Sequence, residues 1–358
     1  MREELARRLA GRLDDLDQRG LRRELRPLEM VSATLGRHHG RELVVFSSND
    51  YLGLAADERV RSAWRGGGAG SSRLISGSRP AHAELEAAVS EHFGGAALVF
   101  SSGYQANLAV LTTLFEAGQV VASDRLNHAS IIDGLRLSRA SVEIAEHGVI
   151  WEACDGVVVE GLYSMDGDRL CLREVSGWLV VDEAHAVGCL GPGGRGVAAA
   201  QGVRADVLVG TFGKAYGAAG AFVVGPEELR ELLVSAGRSF VYTTALAEPA
   251  ARAALAGFRA ADEALRERLV DRVARLRAGL ADLGLEALGR DHVVPVVLAE
   301  RTMPAAAALY EAGYYVPGIR APTVPAGQER LRISLSAAHT DDQIDGLLEA
   351  LDRCCCSR

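Results

Sequence analysis

The residue best suited to covalent chemistry is Lys214. It is the only lysine in a chain of 358 residues whose lysines and arginines total 39, and it stands in TFGKAYG, a glycine-rich loop after the apolar run VLVG. Most lysines sit solvated on charged faces; this one lies among small and aromatic residues. A compact, partly desolvated amine can be neutral when it attacks a carbonyl, as Schiff-base formation requires. The loop is no Walker A, because GTFGKA lacks the four-residue gap and the Ser/Thr after the lysine.

Three other clusters offer matching chemistry. Asp182 closes the apolar run LVVD, with His185 three residues on. A carboxylate at the C-terminal end of a strand in an open α/β sheet faces the ligand crevice. Pyridoxal 5'-phosphate (PLP) needs such an acid beside its pyridine nitrogen to act as an electron sink. The letters DEAH also occur in helicases, but no Walker A loop accompanies them and the chain is acidic. GPGGRG (191–196) matches GxGxxG by letter yet opens no clear helix after a strand. In VFSSGYQANLAV a strand runs into Ser101-Ser102-Gly103-Tyr104 and then a helix, whose free N–H groups and positive end make a phosphate cradle; Thr211 can add a hydroxyl. His128, in DRLNHAS, follows another strand end, so its ring can lie over a cofactor, although a lone histidine is more often structural. Together these describe a PLP-dependent enzyme.

The elements that must hold these residues are legible as short Val- or Ala-rich runs. Ala96–Ser101, Val120–Ser123, Gly156–Glu160, Leu179–Asp182, Val207–Gly210 and Ala221–Gly225 each end in polar or glycine residues, as buried strands of a mostly parallel sheet do. Helical stretches such as Gln105–Phe115 supply crossovers. The expected fold class is therefore α/β, a mostly parallel sheet flanked by helices, with a smaller C-terminal α+β domain. The leucines at 5, 9, 13 and 16 predict a helix from residue 1 to about 28. The expected division is an N-terminal helical segment (1–45), a large α/β domain (46–245) and the small domain (246–358). In the latter, 247–285 is helical, VVPVVLA and RLRISLS are strands, and 303–313 and 340–352 are helices. The connections before Gly156 and before Trp178 are unusually short for parallel crossovers; LYSMDGDRLCLREVSG has room for about two helical turns.

Composition narrows the partners. A net charge of -8 and pI near 5.7 disfavour nucleic acid. The N-terminus lacks the apolar core of a signal peptide, and no apolar run can span a bilayer, so no membrane role and a cytoplasmic home are expected. The six cysteines form no CxxC pair or zinc spacing, so no metal is expected. The terminal CCCSR lacks a prenylation signal and reads as a frayed tail of reduced thiols.

In their order, FSSNDYLGLA, SRLISGSRPAHAELE, DRLNHASIIDG, EGLYSMDGD, VDEAHAVGCLGPGGRG and TFGKAYG resemble the α-oxoamine synthase family of fold-type I PLP enzymes, from about Arg22 to His339. IRAPTVPAGQERLRISLSAAHT, SRLISG and LRRELRP most resemble the biotin-pathway branch, with Ala321 where the pattern prefers proline. The resemblance implies that Lys214 anchors PLP as a Schiff base and later moves a proton. It also implies that Asp182 pairs with the pyridinium, His185 meets the phenolic oxygen and His128 stacks on the ring. Gly103, Tyr104, Thr211 and the partner subunit's Thr244 would hold the phosphate, while Ser164 and Glu160 line the site. Arg332 would hold the amino-acid carboxylate, and Arg22 or Arg23, Asn49 and Thr323 would meet the acyl donor. The implied reaction joins L-alanine to a pimeloyl thioester, on CoA or a carrier protein, in a homodimer with shared sites. Glycine C-acetyltransferase, aminolevulinate synthase and serine palmitoyltransferase activities are alternatives within the family. A non-catalytic subunit is a remote one, since such subunits usually lose the lysine.

Overall fold

The computed structural model describes residues 1–151 and 154–356; Glu152 and Ala153, in the brief stretch before Gly156, and the last two residues lie outside it. The first helix, Arg2–Gln18, stops ten residues short of the expected end. The leucine spacing ends at Leu16, and Gly20 takes a left-handed φ of 62° that turns the chain out of the helix. Part of the segment expected to be helical then forms strands: β1 (Glu29–Met30), β2 (Leu35–His38) and β3 (Arg41–Val45). β2 and β3 are antiparallel. His39 and Gly40, both at positive φ, make the two-residue hairpin turn between them.

The central sheet has seven strands: β4 (Ala96–Phe100), β5 (Val120–Asp124), β6 (Ser141–Ala145), β7 (Gly156–Glu160), β8 (Trp178–Asp182), β9 (Val207–Thr211) and β10 (Ala221–Gly225), in the order β4-β10-β9-β8-β7-β5-β6. β5 to β9 pair in parallel, whereas β10 runs against both its neighbours. Every residue of β7 and β9 is buried, which is how strands read when helices cover both faces of a sheet. The sheet therefore gathers Asp124, Glu160, Asp182 and Thr211 at the C-terminal ends of adjacent strands.

Further along, β11 (Val293–Val297), β12 (Tyr314–Tyr315), β13 (Gly318–Ile319) and β14 (Arg330–Ser334) alternate with helices Glu248–Ala260, Glu263–Asp282, Thr302–Glu311 and Asp341–Leu351. β11, β14 and β13 form an antiparallel sheet, and β12 adds in parallel to β3. The Ser334 N–H donates to the Phe46 carbonyl at 2.8 Å, so Asn49, a few residues after Phe46, comes to lie beside Arg332.

The connection from β7 to β8, residues 161–177, holds no helix. It is tied down by polar links instead. Arg332 Nε donates to the Ser164 carbonyl (2.6 Å), Arg330 Nη1 meets Asp166 Oδ1 (2.5 Å), His147 Nε2 meets Asp168 Oδ2 (2.8 Å), and Arg169 pairs with Asp291. The tail is not frayed through Cys355. Cys354 and Cys355 are half-buried, with their Sγ atoms 3.5 Å apart, and Arg301 donates to the Cys355 carbonyl at 3.1 Å. Among the described residues, no helix is long and apolar enough to cross a membrane, and no group of three His, Cys, Asp or Glu residues could hold a metal.

Candidate active site

Lys214 leaves the end of β9 in a loop that its glycines allow. Gly210 lies under the Phe222 ring, where a Cβ would come within 2.2 Å of it. Gly217, at φ 64°, backs onto Leu54 and Ala55, where a Cβ would fall 2.1 Å from the Ala55 nitrogen. Thr211 shapes the same loop, donating to the Gly220 carbonyl (3.0 Å) and accepting from the Gly213 N–H (3.1 Å). Burial draws the Lys214 amine down to about 8, although Asp182 and Glu160 favour its charge.

Asp182 is buried at the end of β8, and its two oxygens are occupied separately. Asn107 Nδ2 donates to Oδ2 at 2.7 Å and the Ala184 N–H to Oδ1 at 2.9 Å. Asn107 lies four residues after Gly103, one turn into helix Gly103–Leu114, so the helix that offers its N-terminus also positions the acid. Glu160 ends the neighbouring strand, and burial, with Asp182 beside it, pushes its carboxyl well above the ordinary range. His185 is buried and held well below its usual value, first by burial and then by Lys214 and Arg332. A neutral imidazole is the result.

Ser102 caps helix Gly103–Leu114, accepting from the Gln105 N–H at 3.3 Å. A Cβ at Gly103 would meet no atom within 4 Å, so the backbone there faces open space. The exposed Tyr104 donates to Asp133, and its ring stands edge-on to His128, 6.4 Å between centroids. His128 caps the next helix, Ala129–Ser138, and is itself exposed, with Nδ1 2.8 Å from the Ser130 hydroxyl. Thr244 is exposed beside the cradle, its carbonyl accepting from the Ser101 hydroxyl at 3.4 Å.

Arg332 enters from β14. It is 5% exposed, and besides Ser164 it donates to Ser334 Oγ (2.8 Å) and, through Nη1 and Nη2, to Asn49 Oδ1 (3.3 Å each). Lys214, Asp182, Glu160, His185, Arg332 and Asn49 thus form one cluster. Arg22 and Thr323 stand apart from it. Arg22 pairs with Asp17 (2.5 Å) and, with Arg23, Arg26, Tyr310 and Arg320, lines an open cavity of about 950 Å³; Thr323 is exposed, its N–H donating to the Arg320 carbonyl at 3.0 Å. Sequence reasoning named neither Asn107 nor Tyr51, whose hydroxyl lies 2.6 Å from His185 Nδ1. Helical spacing from Gly103 was a usable signal for Asn107; none pointed to Tyr51.

These residues fit PLP by donor chemistry: a lysine with a lowered pKa, a buried carboxylate with both oxygens positioned, and an open helix N-terminus for a phosphate. The sequence profile of the class I and II aminotransferases matches residues 41–351. The chain belongs to this family, and it is a PLP-dependent acyltransferase by its fold and its relatives. A protein from Anaeromyxobacter sp. (strain K) named 8-amino-7-oxononanoate synthase is 46% identical over 374 aligned positions, covering 96% of this chain and 94% of its own. Within the family the chain groups with these synthases of biotin biosynthesis. Of solved structures, Sphingomonas wittichii serine palmitoyltransferase superposes with a TM-score of 0.89 at 32% identity, covering 97% of this chain and 96% of its own. An 8-amino-7-oxononanoate synthase from Francisella tularensis gives 0.75 at 28% identity, covering 87% and 97%. The alignment of 374 positions exceeds this chain's 358 residues, so the Anaeromyxobacter relative carries residues this chain lacks.

Proposed function

We propose that the enzyme condenses L-alanine with a pimeloyl thioester, on CoA or a carrier protein, giving 8-amino-7-oxononanoate, CO2 and the free thiol. The observation that carries this reading is Arg332: a buried guanidinium fork, fixed by Ser164, Ser334 and Asn49, within electrostatic reach of the single lysine. A carboxylate is the ligand such a fork matches.

PLP supplies, when bound, the electron sink that stabilises negative charge at Cα. Lys214 would hold it and later take the Cα proton. Asp182, set by Asn107, would keep the ring nitrogen protonated; His185 would meet the phenolic oxygen, and His128 would lie over the ring. Gly103, Tyr104, Thr211 and the partner subunit's Thr244 would hold the phosphate, with Glu160 and Ser164 lining the pocket. Arg332 holds the alanine carboxylate, which keeps the breaking bonds aligned while Cα attacks the thioester carbonyl and CO2 departs. Asn49 and Thr323 would meet the acyl donor together with Arg22 in its arginine-lined cavity. In this reading the enzyme is a cytoplasmic homodimer, with residues 46–245 as the cofactor-binding domain and 246–358 as the smaller one.

The likeness to serine palmitoyltransferase favours one second reading, with serine and a longer acyl chain. Product mass decides. The purified enzyme is given alanine, glycine or serine with pimeloyl, acetyl, succinyl or palmitoyl thioesters. The alanine–pimeloyl pair should give the dominant product, and no product from that pair sinks the proposal. Borohydride should fix PLP to Lys214 in the wild type and not in Lys214→Ala.

A further inference from the structure

Tyr51 has no part in the reaction as described, yet it is 0% exposed and joins the carboxylate-holding arginine to His185. Two Arg332 nitrogens lie 3.3 Å from Asn49 Oδ1. Both are donors, so this atom is the amide oxygen, an acceptor. The Tyr51 hydroxyl lies 3.0 Å from the same oxygen and 2.6 Å from His185 Nδ1. A phenol has one proton to give. Donated to His185, it would leave two oxygen lone pairs facing each other, buried, between Tyr51 and Asn49. Donated to Asn49, it leaves the phenol oxygen free to accept from an Nδ1–H, and every group in the chain is then satisfied.

His185 can meet that demand because its ring is neutral and carries a single mobile proton. The surroundings are closely packed. The His292 ring packs against Tyr51, 4.1 Å between centroids and tilted by 53°, and donates through Nε2 to the His185 carbonyl at 2.9 Å.

We propose that Tyr51 is a positioning residue that sets the tautomer of His185, holding its proton on Nδ1 and leaving Nε2 as an acceptor for as long as Arg332 engages Asn49. The phenol has two acceptors, so the setting is reversible. When a substrate carboxylate draws the Arg332 N–H groups away, the Asn49 amide can turn over and donate to Tyr51. Tyr51 then donates to Nδ1, and Nε2 becomes a donor toward the pocket. Capture of the carboxylate is thereby coupled to the hydrogen bond that His185 offers the cofactor. That consequence rests on the roles proposed above for Arg332 and His185; the tautomer itself does not.

The test is nitrogen-15 NMR of labelled histidines in the cofactor-free protein, with His185 assigned by its loss in His185→Gln. The wild type should show a protonated Nδ1 and a bare Nε2. Asn49→Leu removes the competing acceptor and should move the proton to Nε2. Tyr51→Phe should abolish the preference; in the PLP-loaded enzyme it should shift the visible absorption and lower kcat about 10- to 100-fold, with the alanine KM changed less than about threefold. A wild-type ring protonated on Nε2, or an Asn49→Leu ring still protonated on Nδ1, overturns the proposal whatever the substrate proves to be. Should Tyr51→Phe not fold, the other two spectra decide.

Discussion

Burial lowers the Lys214 amine to about 8 while Asp182 and Glu160 hold its charge in place. Only the neutral amine reacts with an aldehyde, so the sign follows directly. Capture of PLP by the cofactor-free enzyme should quicken about tenfold per pH unit up to about 8 and then level off, because each unit below the pKa cuts the neutral fraction tenfold. Stopped-flow absorbance measures this, and a rate that climbs unchanged to pH 10 would contradict a lowered amine. Lys214 and Asp182 stood out in the sequence because their side-chain types fall beside recognisable strand ends, whereas Arg332, inside β14, was named only through the family resemblance. Tyr51 and Asn107 did not stand out, since their value lies in partners 134 and 75 residues away. A tyrosine after Asn-Asp carries no mark that a distant histidine will meet it.

The helix-free segment between β7 and β8 shows how an element can be held without regular structure. His147 sits between Asp124 (2.9 Å) and Asp168 (2.8 Å), and the two carboxylates raise its pKa to about 10. A group raised in the folded state stabilises fully below its unfolded value near 6.5 and loses that contribution as pH climbs toward the folded value. His147→Gln should therefore cost about 1–2 kcal/mol near neutrality, since the half-buried site screens part of the interaction. The difference from wild type should shrink between pH 7 and 10, read from urea denaturation at each pH. A gap that stays constant across that range would argue that packing rather than charge is lost. The brevity of this segment was visible in the sequence. Its fastening was not, because Arg330, Arg332 and Asp291 lie more than a hundred residues downstream. The first helix failed at its end for a local reason, Gly20, and the hairpin at His39-Gly40 was masked by its charged, weakly alternating strands.

At the scale of the whole molecule, Ile75 is 82% exposed and Tyr242 is 76% exposed, on neighbouring segments joined by the Ala245 N–H to the Ser71 carbonyl. Large apolar side chains left in water on linked segments mark a surface that another molecule covers, and a second copy of this chain fits the shared-site reading proposed above. Light scattering should give a dimer for the wild type, and a half-mass species that retains PLP poorly for Ile75→Glu with Tyr242→Glu; a monomeric wild type sinks the idea. Six strands of the large sheet were readable because they are short apolar runs; β6, SVEIA, was not, since its side chains are mostly exposed at the sheet edge. Nor was the way β12 fastens to β3, since a two-residue strand leaves no pattern. The scarcity of lysine has a practical result at this scale. A lysine-specific protease has one cut to make in the whole unfolded polypeptide, and that cut falls at Lys214, in the loop after β9. A digest of the denatured, borohydride-treated enzyme would leave uncut every chain whose lysine had been joined to the aldehyde. The ratio of full-length chain to the two fragments would then count filled sites on an ordinary gel.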